Sequence, residues 1–393
     1  MNNFTYYSPT EVFFGAGVHR QTGSFIRAFH GTRVLVVYGG ERVIRNGLMA
    51  EITASLQEAG LTYTLLGGVV PNPRLCKVYE GIALGRQTQT DFLLAVGGGS
   101  VIDTAKAIAY GLAEPEHDVW ELFAHTRQAK ACLPVASVLT IAAAGSESSM
   151  GAVITNERTK EKRAYDDDLA RPKFAVMNPE LTLSLSDYQT QSGCVDIMMH
   201  TMERYFTGSG TMALTDALAE GLLRTVMQCA LRLHHDPQDL DARAEIMWAG
   251  SVSHNGLTGC GSDGGDWSSH NLEHELGGMF DVAHGAGLAA IWGSWARYVW
   301  RGAPQRFVQF ARNVCGILPG QTDEETVEAG ICAMERFYRS IGMPASLEAL
   351  GVRPTDVQIA QMAAGCVRAT GGNCGSVKKL TQEDMIRIYK MAR

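Results

Sequence analysis

The stretch Asp91-Phe-Leu-Leu-Ala-Val-Gly-Gly-Gly-Ser100 indicates the fold of the first half of the chain. A continuous apolar run, rather than an alternating one, is typical of a strand buried on both faces of a parallel sheet. Three glycines and a serine follow it, and a helical pattern begins near Val101. Backbone N–H groups in such a turn face an anion without side-chain obstruction, and the helix N-terminus adds partial positive charge. The pattern predicts a turn that binds a pyrophosphate.

A second turn of this kind lies earlier in the chain, where Val34-Leu-Val-Val-Tyr38 meets Gly39-Gly40. Each glycine cluster has a plainer interpretation, a strand-to-helix turn in which a residue such as Ser100 caps the helix. The standard G-x-G-x-x-G fingerprint is absent. Two glycine turns at two strand ends nevertheless favour nucleotide binding, because nucleotides bind outside the carboxyl ends of parallel strands.

Strands and helices alternate up to about residue 187, and only helical patterns follow. Alternation of this kind predicts a parallel sheet. We therefore expect an α/β domain over 1–187, Rossmann-like with a parallel sheet, and an all-helical domain over 188–393. The further predicted strands are 133–141 and 173–177, and the predicted helices are 43–59, 77–87, 189–206, 213–233, 242–254, 286–300, 325–341 and 381–391.

Composition excludes several classes of protein. The 393 residues carry a formal net charge of −7, which does not suit a general nucleic-acid binder. No apolar stretch reaches the ~20 residues of a membrane helix, and the N-terminus lacks the basic start and apolar run of a secretory signal. The nine cysteines form no C-x-x-C pair, which is typical of reduced thiols. We expect a cytoplasmic protein without membrane or nucleic-acid partners.

The helical half contains a group of possible metal ligands. Asp196 and His200 are four residues apart, as are His270 and His274, so each pair shares one helix face, and His284 follows near two glycines. Carboxylate and imidazole donors suit Zn²⁺ or Fe²⁺. A single histidine on a helix is more often structural, but the five residues together indicate a metal site. We expect surface positions for the other histidines, His19, His30, His117, His125, His234, His235 and His254.

Several longer motifs resemble one family. They are Pro71-Asn-Pro73, Gly97-Gly-Gly-Ser-Val-Ile-Asp-Thr-Ala-Lys106, Gly145-Ser-Glu147 (preceded by Ala144 in place of the usual threonine), Asp196-Ile-Met-Met-His200 with Glu203, Trp267-Ser-Ser-His270 with Glu273-His274, and His284-Gly285. Together they resemble the iron-containing (group III) alcohol dehydrogenases of the dehydroquinate synthase-like fold. The branch of butanol dehydrogenases and NADPH-dependent aldehyde reductases is the most similar.

The resemblance implies a role for individual residues. The metal ligands would be Asp196, His200, His270 and His284, with His274 a nearby catalytic residue that does not bind the metal. The cofactor-binding residues would be Gly39, Gly40, Arg42, Asn72, Gly97, Gly98, Gly99, Ser100, Asp103, Thr140, Ser146 and Lys162. Members of the family are dimers or larger homo-oligomers, so a homodimer or larger assembly is expected here.

The expected reaction is hydride transfer between a nicotinamide cofactor and a primary alcohol or aldehyde, at an interdomain cleft, with Fe²⁺ or Zn²⁺ as Lewis acid. NADP(H) is favoured over NAD(H), since Gly39-Gly40 carries no acidic side chain and Arg42 can pair with a 2′-phosphate, although Glu41 argues the other way. Alternatives are a polyol (glycerol-type) dehydrogenase or dehydroquinate synthase of the same fold, and a nucleotide-binding protein with a structural metal and no turnover.

Overall fold

A computed structural model describes residues 1–208, 212–318 and 320–393. Its strands are β1 (Glu11–Phe14), β2 (Arg33–Tyr38), β3 (Thr62–Leu66), β4 (Phe92–Gly97), β5 (Val135–Leu139), β6 (Gly151–Asn156), β7 (Glu161–Asp166) and β8 (Phe174–Met177). Its helices are α1 (Thr22–Ala28), α2 (Arg42–Arg45), α3 (Leu48–Glu58), α4 (Leu75–Gln87), α5 (Gly99–Ala113), α6 (Trp120–Phe123), α7 (Asp187–Tyr205), α8 (Ala213–His235), α9 (Leu240–His254), α10 (Ser268–Phe280), α11 (His284–Val299), α12 (Pro304–Asn313), α13 (Asp323–Ser340), α14 (Asp356–Thr370) and α15 (Gln382–Ala392).

Six parallel strands form the main sheet, in the order β1-β8-β5-β4-β2-β3. Strands β4, β5 and β8 are buried along their whole length. This burial is what the continuous apolar runs indicate, because helices cover both faces of a parallel sheet. The predicted parallel α/β fold with a helical C-terminal region is confirmed.

The four predicted strands correspond to β2, β4, β5 and β8. The sequence did not indicate β1, β3 or the antiparallel pair β6–β7. The pattern over 43–59 is divided into α2 and α3, because the chain turns at Gly47 with a φ of +85°. A left-handed conformation of this kind interrupts a helix and favours glycine.

The described residues divide into two units, one of residues 8–184 and one of residues 1–7 with 185–393. The predicted boundary after residue 187 lies close to this division. The N-terminal seven residues belong with the helical unit, and the backbone N–H of Asn2 donates to the carbonyl of Gly261.

The helical unit is organised around α7, which packs against α8, α9 and α11. Ser186 and Gln189 form a capping box that fixes the start of this helix. Among the helices described here, none is long and apolar enough to cross a membrane.

Candidate functional site

Helix α7 supplies one buried row of polar side chains. Asp196, His200 and Glu203 follow one another at spacings of four and three residues, and each is at most 5% exposed. Side chains at these spacings share one helix face. A buried face with two carboxylates and an imidazole is costly unless the groups bind one another or a cation.

Close helix packing brings His284 to this row. A Cβ at Gly285 would lie 1.9 Å from the carbonyl oxygen of Ser192, so only glycine allows the start of α11 to approach α7 this closely. His284, the first residue of α11, consequently places its Nε2 3.7 Å from Oδ1 of Asp196.

A tight loop brings His270 to the same row. The N–H of Asp266 donates to the carbonyl of Glu203, and a Cβ at Gly265 would lie 2.4 Å from that oxygen. Helix α10 begins two residues after Asp266, and His270 Nε2 lies 4.0 Å from Asp196 Oδ1. One donor atom from each of Asp196, His270 and His284 therefore falls within 4.8 Å of the others.

Two carboxylates fix the orientation of the two imidazoles. His270 Nδ1 lies 2.9 Å from Oε1 of Glu203, which also accepts the backbone N–H of His270. His284 Nδ1 bonds to Oε2 of Glu273. A histidine that donates its Nδ1–H to a carboxylate holds its Nε2 lone pair for a metal.

His200 lies beside this group. Its Nδ1 is 3.3 Å from Asp196 Oδ1, and its ring centroid is 4.6 Å from that of His270. Burial, followed by the neighbouring His254 and His270, holds the pKa of His200 well below 6.5. The ring is therefore neutral at ordinary pH and retains a lone pair for a metal.

The donor atoms fit a divalent metal. The Nδ1 of His200 and the Nε2 of His270 are buried, and neither forms a hydrogen bond to the described part of the chain. One carboxylate with two or three imidazoles suits a borderline cation such as Fe²⁺ or Zn²⁺. No cysteine belongs to either potential metal group found in the described ranges, unlike most structural zinc sites.

His274 lies at the border of the cluster. Its ring centroid is 5.7 Å from that of His284 and 6.3 Å from that of His270. With Glu273 and His284 it forms a second potential metal group, so the geometry is compatible with a ligand as well as with the predicted catalytic role.

Two predicted surface histidines occupy other environments. His19 is 4% exposed and lies 2.7 Å from a carboxylate oxygen of Glu51. The ring centroid of His254 lies 4.0 Å from that of His200. The surface prediction was wrong for His19, which is buried, and His254 is half-buried. Their neighbours are distant in sequence, so no local pattern points to them.

The predicted nucleotide turn lies at a reversal of strand order. From β2 the chain continues to β3 on one side, and from β4 it continues to β5 on the other. Gly39-Gly40 follows β2, and Gly97-Gly98-Gly99 ends β4 and begins α5. Ligands of open α/β sheets bind at the carboxyl ends of the strands at such a reversal.

The start of α5 has unsatisfied donors. Its N-cap is Gly98, not Ser100, and no side chain in the described ranges caps the helix. The first N–H groups of an uncapped helix are available to an anion. The plainer interpretation, in which Ser100 is a capping residue, does not hold here.

Other predicted cofactor residues form a buried polar network behind the turn. Asp103 accepts hydrogen bonds from Ser146 Oγ at 2.6 Å and from the Val153 N–H at 3.0 Å. Lys106 Nζ donates to the carbonyls of Ser146, Ser149 and Gly151 at 2.7 to 2.9 Å. Thr140, Lys162 and Asn72 are also buried. Sequence reasoning quoted Lys106 within a motif but gave it no role.

Arg42 is partly buried near the end of β2. Its Nη1 lies 3.5 Å from the carbonyl of Ser184, and burial lowers the pKa of the guanidinium. No carboxylate of the described residues forms an ion pair with it. Glu41 is exposed, and its side chain makes no capping bond to α2.

Comparison with known proteins identifies the family of this chain. The family model for iron-containing alcohol dehydrogenase matches residues 9–179, and the C-terminal model of the Fe-containing alcohol dehydrogenase family matches 190–393. The chain therefore belongs to the iron-containing alcohol dehydrogenase family.

Relatives match along nearly the whole chain. NADH-dependent butanol dehydrogenase A of Clostridium acetobutylicum is 38% identical over 99% of both chains. The NADPH-dependent aldehyde reductase YqhD of Escherichia coli is 36% identical over 90% of both. The crystal structure of NADH-dependent butanol dehydrogenase A from Thermotoga maritima has a TM-score of 0.96 and 36% identity, covering 100% of this chain and 99% of the other.

Proposed function

We propose that this chain catalyses reversible hydride transfer between NADP(H) and a primary alcohol or its aldehyde, with one divalent metal, Fe²⁺ or Zn²⁺. The carrying observation is the arrangement of His270 and His284, whose Nδ1 atoms are held by carboxylates while their Nε2 atoms face Asp196. We assign Asp196, His200, His270 and His284 as the ligands. Alcohol dehydrogenase and aldehyde reductase activity also agrees with the family and its named relatives.

When bound, the cofactor exchanges a hydride with the substrate carbon, and the cation acts as a Lewis acid on the substrate oxygen. Glu203 and Glu273 keep the imidazoles of His270 and His284 in the tautomer whose Nε2 lone pair is available to a metal. The uncapped N-terminus of α5 holds the pyrophosphate through backbone N–H groups. In the oxidising direction, His274 would accept the hydroxyl proton of the alcohol, and the hydrogen on the same carbon would leave as hydride to the oxidised cofactor.

The test is a panel of aldehydes with NADPH and NADH, together with metal analysis of the purified protein. We expect consumption of the reduced cofactor with primary aldehydes and about one divalent metal per chain. A protein that binds nucleotide and metal without consuming cofactor would support the non-catalytic alternative.

The preference for NADPH rests on Arg42. This guanidinium has no carboxylate partner among the described residues, and burial disfavours its charged form, so an anion beside it would be stabilising. A 2′-phosphate supplies that anion, with a charge of about −1.5 to −2 at pH 7. Relatives named for NADH and for NADPH occur at similar identity, so family membership does not choose between the cofactors.

The cofactor preference is tested by measuring kcat/KM for one aldehyde with NADPH and with NADH, in wild type and Arg42→Ala. We expect wild type to favour NADPH. In the variant, the ratio of kcat/KM with NADPH to kcat/KM with NADH should fall about tenfold, which corresponds to about 1.4 kcal/mol. Arg45→Ala, on the same helix, is the matched control. Equal or better efficiency of wild type with NADH would contradict the preference.

We also propose a homodimer or larger homo-oligomer. Strand β1 is an edge strand whose outer side pairs with no other described strand, and Phe14 at its end is 43% exposed. An unpaired edge of this kind favours pairing with another chain. Light scattering of the purified protein measures the mass. The cytoplasmic location stays a prediction from the cysteine pattern.

A further inference from the structure

The three candidate imidazole ligands are not held in the same way. His270 and His284 each bond a carboxylate through Nδ1. The buried Nδ1 of His200 has no hydrogen-bond partner within the described residues. An imidazole without such a partner rotates more freely, and outer partners of metal-binding histidines typically change metal affinity 10- to 100-fold. Another feature must therefore fix the ring of His200.

Arg204 contacts two of the rings beside this imidazole and the backbone of His200 itself. Its Nη1 donates to the carbonyl of His200 at 2.8 Å and to that of Ser253 at 3.2 Å. Its Nη2 donates to Nδ1 of His254 at 3.2 Å, and its guanidinium lies 4.7 Å from the ring centre of Trp267. One side chain thus links the helix that carries His200 to two aromatic rings beside it.

Those two rings pack around the imidazole of His200. The His254 centroid lies 4.0 Å from it, a close ring contact, and the Trp267 centroid lies 6.2 Å from it, within the usual range of aromatic pairs. The two rings are also 6.1 Å from each other at an angle of 77°. Because Arg204 can only donate, Nδ1 of His254 is the acceptor of this hydrogen bond, and Nε2 is the nitrogen that carries a proton.

The backbone at Trp267 adopts a strained, left-handed conformation. Trp267 has a φ of +60°, a conformation that is rare for a bulky residue and that costs on the order of 1–2 kcal/mol. Its Nε1 donates to the carbonyl of Gly264 at 2.7 Å, which fixes the ring in place. Strain of this kind persists where the surrounding structure holds it, often at a functional site.

We propose that Arg204, His254 and Trp267 form an aromatic clamp that positions the imidazole of His200 for metal binding. The clamp does by packing what Glu203 and Glu273 do by hydrogen bonding for the other two imidazoles. The proposal rests on the metal site of the proposed function. The three residues are positioning residues, which act through His200, and none belongs to a potential metal group found in the described part of the chain.

The test measures how fast Zn²⁺ leaves the zinc-loaded holoenzyme when EDTA is added. Arg204→Met and Trp267→Gly should each release zinc about tenfold faster than wild type. Glycine favours the backbone conformation at position 267, so this variant removes the indole without adding strain. Arg301→Met is the matched control, because Arg301 lies 4.5 Å over the ring of Trp300 in a separate pair, and it should release zinc at the wild-type rate.

Combined variants show whether the clamp acts through His200. In the His200→Ala background, Arg204→Met should change the release rate less than twofold, because the ring it positions is gone. In the Glu273→Gln background, which loosens His284 instead, Arg204→Met should still accelerate release about tenfold.

Either of two results would overturn the clamp. One is zinc release at the wild-type rate from both single variants. The other is a tenfold acceleration of zinc release by Arg204→Met in the His200→Ala background. A His200→Ala protein that holds zinc as firmly as wild type would overturn the ligand assignment, and with it the clamp. A wild-type protein that binds zinc firmly but does not reduce aldehydes would instead count against the proposed function alone.

Discussion

The proposed nucleotide turn presents backbone N–H groups from consecutive residues, whereas the proposed metal centre gathers side chains from three separate helices. Gly97, Gly98 and Gly99 contribute little except the absence of side chains. Asp196, His270 and His284 contribute their functional groups, and each helix must be positioned for them to meet. A backbone site depends on local conformation, while a side-chain site depends on tertiary packing.

The difference extends to the supporting residues. Behind the turn, the ammonium of Lys106 binds three carbonyls and holds the segment that contains Ser146. Around the proposed metal centre, a carboxylate bonds to the imidazole of His270, and the ring of His254 packs against that of His200. We therefore expect the unit of residues 8–184 to be sensitive to changes in backbone fit and buried charge. We expect the helical unit to be sensitive to the loss of single metal donors.

The largest effect is expected at the metal centre. His270→Ala removes a donor whose orientation Glu203 fixes, so it should lose the metal and lower kcat/KM at least ~1,000-fold, which corresponds to about 4 kcal/mol. Metal analysis and activity measure this loss, and circular dichroism should show the fold retained. Full metal content with normal turnover would remove His270 from the ligand set.

Lys106 tests the buried charge behind the nucleotide turn. Burial lowers its pKa from 10.5 to about 8, against the opposing effect of Asp103 and Glu147. Between these two pH values the unfolded chain binds more protons at this position, so stability should rise with pH there. Between pH 7 and 10.5, the free energy of unfolding of wild type should rise by on the order of 3 kcal/mol relative to that of Lys106→Met.

Urea unfolding at pH 7, 9 and 10.5 measures this gain, and the difference between the two proteins cancels the titration of other groups. Parallel pH profiles for wild type and Lys106→Met would show that the ammonium titrates as it does in water. Buried charge would then no longer distinguish the region of the nucleotide turn from the metal centre.

A methyl group tests the backbone fit of the turn. In Gly97→Ala the new Cβ would lie 2.4 Å from Cγ2 and 2.7 Å from Cβ of Val101, so the variant should lose about 2 kcal/mol of stability. Its KM for the nucleotide should rise while its metal content stays unchanged. Thermal unfolding and cofactor titration measure the two effects.

Gly40→Ala is the matched control for the turn, because nothing lies within 4 Å of its added Cβ. We expect unchanged thermal stability in this variant. Equal destabilisation at both positions would contradict the steric explanation.

The smallest effect is expected at His274. His274→Ala should keep the metal and lower kcat about tenfold, or about 1.4 kcal/mol, with a shifted pH profile, because water can replace the lost proton acceptor. Metal loss comparable to that of His270→Ala would instead make His274 a ligand, as its proximity to Glu273 and His284 allows.

Much of the fold was predictable because its signals are local. The runs that became β2, β4, β5 and β8 are apolar along their length, as strands buried on both faces require. The edge strand β1 and the pair β6–β7 were missed, because Lys162 and Arg163 give β7 a polar composition and β1 is only four residues long. Edge and paired strands depend on partners that a local pattern does not contain.

The candidate site divides in the same way. The spacing of Asp196, His200, His270 and His274 placed potential donors on helix faces, and the sequence also offered His284 as a candidate, which the family motifs supported. His254 was predicted on the surface, since a lone histidine at a helix end carries no further signal. Only the tertiary structure shows that its ring lies 4.0 Å from that of His200.

The sequence by itself determined the parallel α/β unit, the helical unit, the glycine turns and the chemical types of the donors, because periodicity and backbone freedom act over a few residues. Only the tertiary structure decided which donors meet, how Glu203 and Glu273 orient them, and that Arg204 joins His254 and Trp267 beside His200. Those contacts depend on how closely helices approach, and a single glycine, Gly285, sets that distance between α7 and α11.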